Sequence, residues 1–185
     1  MLEITKTRIS IDEYFAMPET MQPTLLLDGE LITLPGPDPL HQDIVLNIYD
    51  ILRPITRVLG GKLVIAPADV RLGETTIAQP DIFWMSPGGL CVLEPGRRYV
   101  GAPDLVAEAL SPGTERYDKA VKFTLYEQHG VREYWIIDPR RQQVEVWQLT
   151  EGIFALHGTF GATETFASAV LGGQGISLSA IFAER

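Results

Sequence analysis

Two apolar runs, DLVAEAL at residues 104–110 and EYWIIDP at 133–139, bracket a stretch with helical spacing. This order constrains the fold more than any other feature. The intervening segment predicts a loop and then a helix from about Glu115 to Gln128, stopped by Gly130, with Tyr117, Val121, Leu125 and Gln128 on its inner stripe. Strand, helix and strand in succession, in a chain where strands outnumber helices, predict an α/β (α+β) fold: a mixed central sheet flanked by helices. In DLVAEAL, Asp104, Val106 and Glu108 share one parity, which suits a strand with a polar edge.

The flanking segments fit this plan. Ser10 and Glu13 form a capping-box signal for a short helix that Pro18 ends. TLLLDGELITL places two apolar runs around Asp28-Gly29, a tight-turn dipeptide, and predicts an extra N-terminal hairpin. From Leu40 to Leu59, Ile44, Leu46, Ile48, Ile51, Leu52, Ile55 and Val58 recur at roughly helical spacing up to Gly60-Gly61, and Pro54 is expected to kink or cut that helix. KLVIAPADVRL and PDIFWM read as strands separated by the polar turn GETT, and a loop rich in Gly, Pro and Arg runs from Ser86 to Pro103. QVEVWQL pairs back on EYWIIDP, and further short strands fill Ile153 to Leu178 before a last helical turn.

With no linker, repeat or low-complexity tract, residues 1–185 make a single domain. No apolar run reaches the roughly eighteen residues of a membrane span, and the N-terminus lacks a signal-peptide core, so a soluble, cytoplasmic protein with no membrane partner is expected. Cys91, the only cysteine, excludes an internal disulfide and a Cys-based zinc site, and its apolar context predicts a buried, unreactive thiol. A net charge of −9 opposes non-specific nucleic-acid affinity, although a divalent cation held by carboxylates can invert the local sign.

Chemistry concentrates in acids at strand ends. Glu30 follows the hairpin turn, Asp81 opens PDIFWM, and Glu108 lies inside an apolar segment between Ala107 and Ala109. A single acid at a strand end is ordinarily just solvated, but a carboxylate buried like Glu108 needs a partner. If the strands carrying Asp81 and Glu108 are neighbours, their side chains converge and repel unless a cation intervenes. Mg²⁺, with one or two carboxylates and several waters, suits such a pair and can orient a phosphodiester. Lys119 or Lys122 on the next helix can supply a fixed cation; Asp118 and Lys122, four apart, otherwise make an ordinary surface pair.

QPD at 79–81, PDLVAEALSPGT from 103 and YDKAVKFTLYEQHGVREYWIIDP from 117 resemble the Uma-two family of bacterial restriction endonucleases, a branch of the PD-(D/E)XK nuclease superfamily. The similarity extends from the DGE at 28–30 through His41-Gln42 and ADVRL at 68–72, and so covers most of the chain. It implies a restriction-endonuclease-like fold, a bound Mg²⁺ (Mn²⁺ as a substitute) and phosphodiester hydrolysis. By position, Asp81 and Glu108 are its metal-binding acids, Lys122 matches a lysine relocated onto the helix and Glu30 is a third acid; His41 is either a residue that hydrogen-bonds substrate or water or a solvent-exposed histidine at a helix N-terminus. Leu110 stands where the superfamily's lysine would be, and Thr24-Leu25 where the family often has Tyr-Glu. Gln79, Ser111 and Tyr126 are expected to border the site, and Asp69 to cap a turn or line it.

The leading functional expectation is a Mg²⁺-dependent endonuclease acting on nucleic acid, DNA in the first instance, as a homodimer. The alternative is a catalytically degenerate dimeric binding module, and a hydrolase of small phosphorylated molecules comes third. A basic rim gathered from Arg97, Arg98, Arg116, Lys119, Arg140 and Arg141 would favour the nuclease, and an acidic rim the module.

Overall fold

The computed structural model describes residues 4–18, 22–95, 98–113, 115 and 117–185. Strand β1 (Ile4–Arg8) leads into α1 (Ile11–Ala16), which carries the expected reciprocal capping box between Ser10 and Glu13. The hairpin of β2 (Thr24–Leu27) and β3 (Glu30–Thr33) turns on Asp28 and Gly29, whose φ angles of 50° and 82° are the positive pair such a turn requires. Helix α2 (Pro39–Leu59) is followed by β4 (Lys62–Ile65), β5 (Val70–Arg71), β6 (Ile77–Ala78), β7 (Ile82–Met85), β8 (Val92–Glu94), β9 (Arg98–Val100) and β10 (Leu105–Ala109). A π-helical turn, Tyr117–Lys122, continues into α3 (Phe123–His129). Then come β11 (Glu133–Asp138), β12 (Gln143–Thr150), β13 (Ile153–Gly161), β14 (Thr165–Ser168), β15 (Gln174–Ser177) and α4 (Leu178–Ile181).

The strands form a six-stranded sheet in the order β13-β12-β11-β10-β7-β4, a seven-stranded sheet in the order β1-β3-β2-β6-β5-β9-β8, and the small hairpin β14-β15. The six-stranded sheet is mixed: β10 and β11, joined by the helical crossover, are parallel, while β7 and β12 run antiparallel to their neighbours. Alternation of side chains along each strand divides the core in two. Phe83, Val106, Tyr134 and Ile136 pack toward the seven-stranded sheet and α3, against Leu25, Val70 and Leu125. Trp84, Leu105, Ala107, Trp135 and Val146 pack the other way, against Ile44, Ile48 and Leu52 of α2 and against Phe166, Ile176 and Ile181.

Several expectations are corrected. Strand β10 has no polar edge: it lies between β7 and β11, covered on both faces, with every residue from Leu105 to Ala109 buried. KLVIAPADVRL is two strands, because the chain leaves the six-stranded sheet after β4 at Ala66-Pro67 and joins the other sheet at β5. The Ser86–Pro103 loop contains the short pair β8 and β9. Helix α2 is not cut at Pro54; this residue is exposed, so the carbonyl it leaves without a donor faces water, while the apolar face holds both halves on the sheet. Between 117 and 129 the buried positions are Asp118, Lys122, Leu125 and Tyr126, and Gln128 is exposed. The wider π turn advances the inward face by one residue ahead of Phe123, from 117 and 121 to 118 and 122.

Candidate active site

Antiparallel pairing of Ile82 with Ala107 sets Asp81, one residue before β7, opposite Glu108. Both side chains share the face that carries Phe83 and Val106. The backbone N–H of Asp81 donates to Glu108 Oε2 at 3.3 Å, and Ala109 N–H donates to Asp81 Oδ2 at 2.9 Å. The neighbouring strand ends therefore bring the two acids of the sequence motif together. His41, in the first turn of α2, places Nε2 2.8 Å from Asp81 Oδ2, and Asp38 caps that turn by accepting from His41 N–H.

From the π turn, Lys122 Nζ enters between Glu108 Oε2 and Asp118 Oδ1, 2.9 Å from each. The contact with Asp118 is a close ion pair and not an aligned hydrogen bond. Tyr126, one turn further along, donates its hydroxyl to Glu108 Oε1 at 2.6 Å. Glu108, Asp118 and Lys122 are all buried. Asp118 and Lys122 thus form no surface pair. The i,i+4 spacing was visible in the sequence, but its burial depends on the π turn.

Three carboxylates, Asp81, Glu108 and Asp118, surround one ammonium. Burial raises the Glu108 pKa well above the usual carboxylate range; Lys122 opposes this, and Asp81 and Asp118 reinforce it. For Lys122, burial favours the neutral amine, but Asp118, Glu108 and Asp81 together win and raise its pKa, so it is held as an ammonium. Burial would likewise raise Asp81, yet the His41 hydrogen bond, the His41 and Lys122 charges and the Ala109 N–H lower it. His41 is raised: burial opposes its charge, and Asp81 outweighs burial.

The three acids outnumber Lys122 and the His41 ring beside Asp81, and an acid-rich cluster of this kind is an environment that favours a divalent cation. Asp81 and Glu108 are hard oxygen donors, and Asp81 lines a cavity of about 370 Å³ that also exposes His41, Gln79, Ser111 and Lys122. Among the described residues no three His, Cys, Asp or Glu side chains form a ready cage. Two carboxylates are the complement Mg²⁺ takes when it keeps its waters, so the donor set fits that ion.

The remaining sequence candidates fall elsewhere. Glu30 is not brought to the cluster. It sits at the turn end of the hairpin, whereas Leu34 and Pro35, past the other end of β3, line the cavity; four residues of strand span about 13 Å. Asp69 accepts from Tyr14 Oη at 2.9 Å and from Gln79 Nε2 at 2.8 Å, while Gln79 Oε1 accepts from Thr24 N–H. It therefore braces the cavity wall through Gln79. Arg97 and Arg116 lie outside the described residues. Arg98 stacks on Phe15, and Lys119, Arg140 and Arg141 line two smaller clefts beyond Ser111 and Leu110. There Glu115, Asp138 and Glu145 offset them, so among the described residues these two clefts are neither basic nor uniformly acidic. Cys91 is buried, and burial followed by the Asp104 charge pushes its thiol up to about 12.

No curated protein matches this chain. A solved structure described as "a putative nuclease belonging to DUF820", from Anabaena variabilis, is similar over 94% of this chain and 97% of that one, with a TM-score of 0.77 and 20% sequence identity. That likeness is one of fold. The sequence itself matches a family model over residues 11–179, and this chain accordingly belongs to the Uma2 family, described as "Putative restriction endonuclease".

Proposed function

We propose that the protein is a Mg²⁺-dependent endonuclease that hydrolyses phosphodiester bonds of nucleic acid, with Mn²⁺ as a substitute ion. The observation that carries the reading is the cluster itself: Asp81 and Glu108 on adjacent strand ends, Lys122 between Glu108 and Asp118, and an open cavity in front. Membership in the Uma2 family supports it. Asp81 and Glu108 would hold the ion, which when bound supplies charge neutralisation at the phosphate and a more acidic water. Lys122, held as an ammonium, serves as a fixed positive charge and hydrogen-bond donor toward a phosphate oxygen, and not as a general base. His41 fixes the Asp81 carboxylate through Nε2, and Tyr126 fixes that of Glu108. A homodimer in the cytoplasm completes the proposal.

A second reading, a degenerate binding module with the same fold, rests on one observation of its own. Glu108 is fully buried, with one oxygen engaged by Tyr126 and the other by Lys122 and the Asp81 N–H. Calorimetric titration of Mg²⁺ and Mn²⁺ into the wild type, Asp81→Ala and Glu108→Ala, beside cleavage of plasmid and single-stranded DNA, separates the readings. Metal uptake and cleavage lost together in both variants support the nuclease. Uptake without cleavage supports the module, and no uptake even with nucleic acid present overturns the metal site.

A further inference from the structure

The cavity in front of the cluster is lined by two unlike kinds of residue. Its lining is polar at His41, Asp81 and Lys122 and apolar at Pro23, Leu34, Pro35, Pro37 and Pro67. Proline rings have no side-chain freedom to lose, so this apolar wall is preformed for a flat partner. At about 370 Å³ the space lies at the small end of ligand pockets, which run from about 300 to 1,000 Å³.

Charge argues against a duplex in this space. Duplex affinity comes chiefly from Lys and Arg neutralising many phosphates. Among the described residues Lys122 is the one Lys or Arg lining the cavity, and Glu108 and Asp118 already claim it, while His41 is paired with Asp81. The whole chain carries −9. Affinity must therefore come from burying a base, and a base can reach a proline wall only when it is out of the helical stack. Gln79 is held by Thr24 and Asp69, and exposed Gln42 adds an amide to the lining.

On the nuclease reading above, we propose that the cavity receives one unpaired nucleotide, its base against the proline wall and its phosphate toward Lys122, so that the substrate is single-stranded nucleic acid. Recognition of this kind tolerates any base, since every base has a face to pack.

The test uses the full chain with fluorescently labelled single-stranded DNA, single-stranded RNA and the corresponding duplex, in EDTA and in Ca²⁺, followed by anisotropy over a range of salt. Single strands are expected to bind at least about ten-fold tighter than duplex, with a shallow log–log salt slope of about −1. The double variant Pro35→Ser/Pro37→Ser, at exposed positions, should lose roughly ten-fold in single-strand affinity at unchanged Tm. Ala66→Glu, which puts a carboxylate on the exposed cavity wall, should lose more. Duplex binding as tight as single-strand binding, unchanged affinity in both variants, or no binding of any nucleic acid by the wild type would overturn the proposal. Mn²⁺-dependent cleavage, scored separately, distinguishes the two claims. Duplex cleavage unaffected by the variants removes the nucleotide pocket and keeps the nuclease. Single-strand binding that the variants abolish, in a protein that cleaves nothing, keeps the pocket and removes the nuclease. The DNA and RNA arms identify the sugar.

Discussion

Replacing Lys122 with methionine tests the ion cluster most directly. The substitution keeps the length and the apolar stem but removes the ammonium that lies 2.9 Å from both Glu108 and Asp118. Two buried carboxylates would then face each other, with Asp81 also nearby. Deleting one partner of a buried ion pair costs about 3–5 kcal/mol, because the remaining charge is desolvated and unpaired. For a chain of 185 residues, each kcal/mol lowers Tm by about 2–4 °C, so the drop should be on the order of 10 °C. Calorimetry and urea denaturation at neutral pH measure it. Because unpaired buried carboxylates have raised folded-state pKa values, the variant's deficit should shrink as pH falls and they take up protons. The double variant Glu108→Gln/Lys122→Met should recover part of the loss, and Mg²⁺ or Mn²⁺ should raise Tm more in Lys122→Met than in the wild type. A Lys122→Met protein within about 1 kcal/mol of wild type at neutral pH would refute the reasoning, since it would mean that the carboxylates are protonated and the cluster carries no excess charge.

Glu133 is a second buried carboxylate, held away from the cavity by Trp135 Nε1, Ser168 Oγ, Gln148 Nε2 and Ala169 N–H. Glu133→Ala strands these donors and should cost about 4 kcal/mol, with hydrogen exchange across β14 and β15 rising more than in α2. Gly61 has φ of +80°, and a Cβ there would lie 2.1 Å from the Met85 carbonyl oxygen; Gly61→Ala should cost about 3 kcal/mol in urea denaturation. Asp138 has its pKa lowered: burial opposes the shift, but the Arg141 and Arg140 N–H groups and the Arg141 guanidinium outweigh it. Its contribution is therefore present above the unfolded carboxylate pKa and lost as pH falls through the lower folded value, and Asp138→Asn should flatten the acid limb of the Tm–pH curve. Asp81→Asn should abolish calorimetric metal uptake while the protein stays folded.

Much of the site's chemistry could be read from residue type and position. A carboxylate flanked by alanines in an apolar run must be partnered, so Glu108 stood out, and Asp28-Gly29 and the Ser10–Glu13 box encode their own local geometry. The hairpin, α1, α2, and the β11–β12 pair follow from periodicity and turn residues for the same reason: their determinants lie within a few residues of one another.

What the sequence could not decide is whatever depends on long-range register. By residue type and strand-end position alone Glu30 and Asp81 are alike; the pairing of β7 with β10 brings Asp81 to Glu108, while the direction of the β2–β3 hairpin carries Glu30 away. Whether β10 has a polar edge depends on its neighbours, and β7 and β11 cover it. On regular α-helical spacing Asp118 and Lys122 make a surface pair. One π turn, stabilised by the pairing of Lys122 with Glu108 on a different element, moves both charges inside. Local sequence determined which groups exist and which segments bend, and the tertiary structure decided which of those groups meet, because the free energy that selects a strand register or a helical turn comes from contacts made with distant parts of the chain.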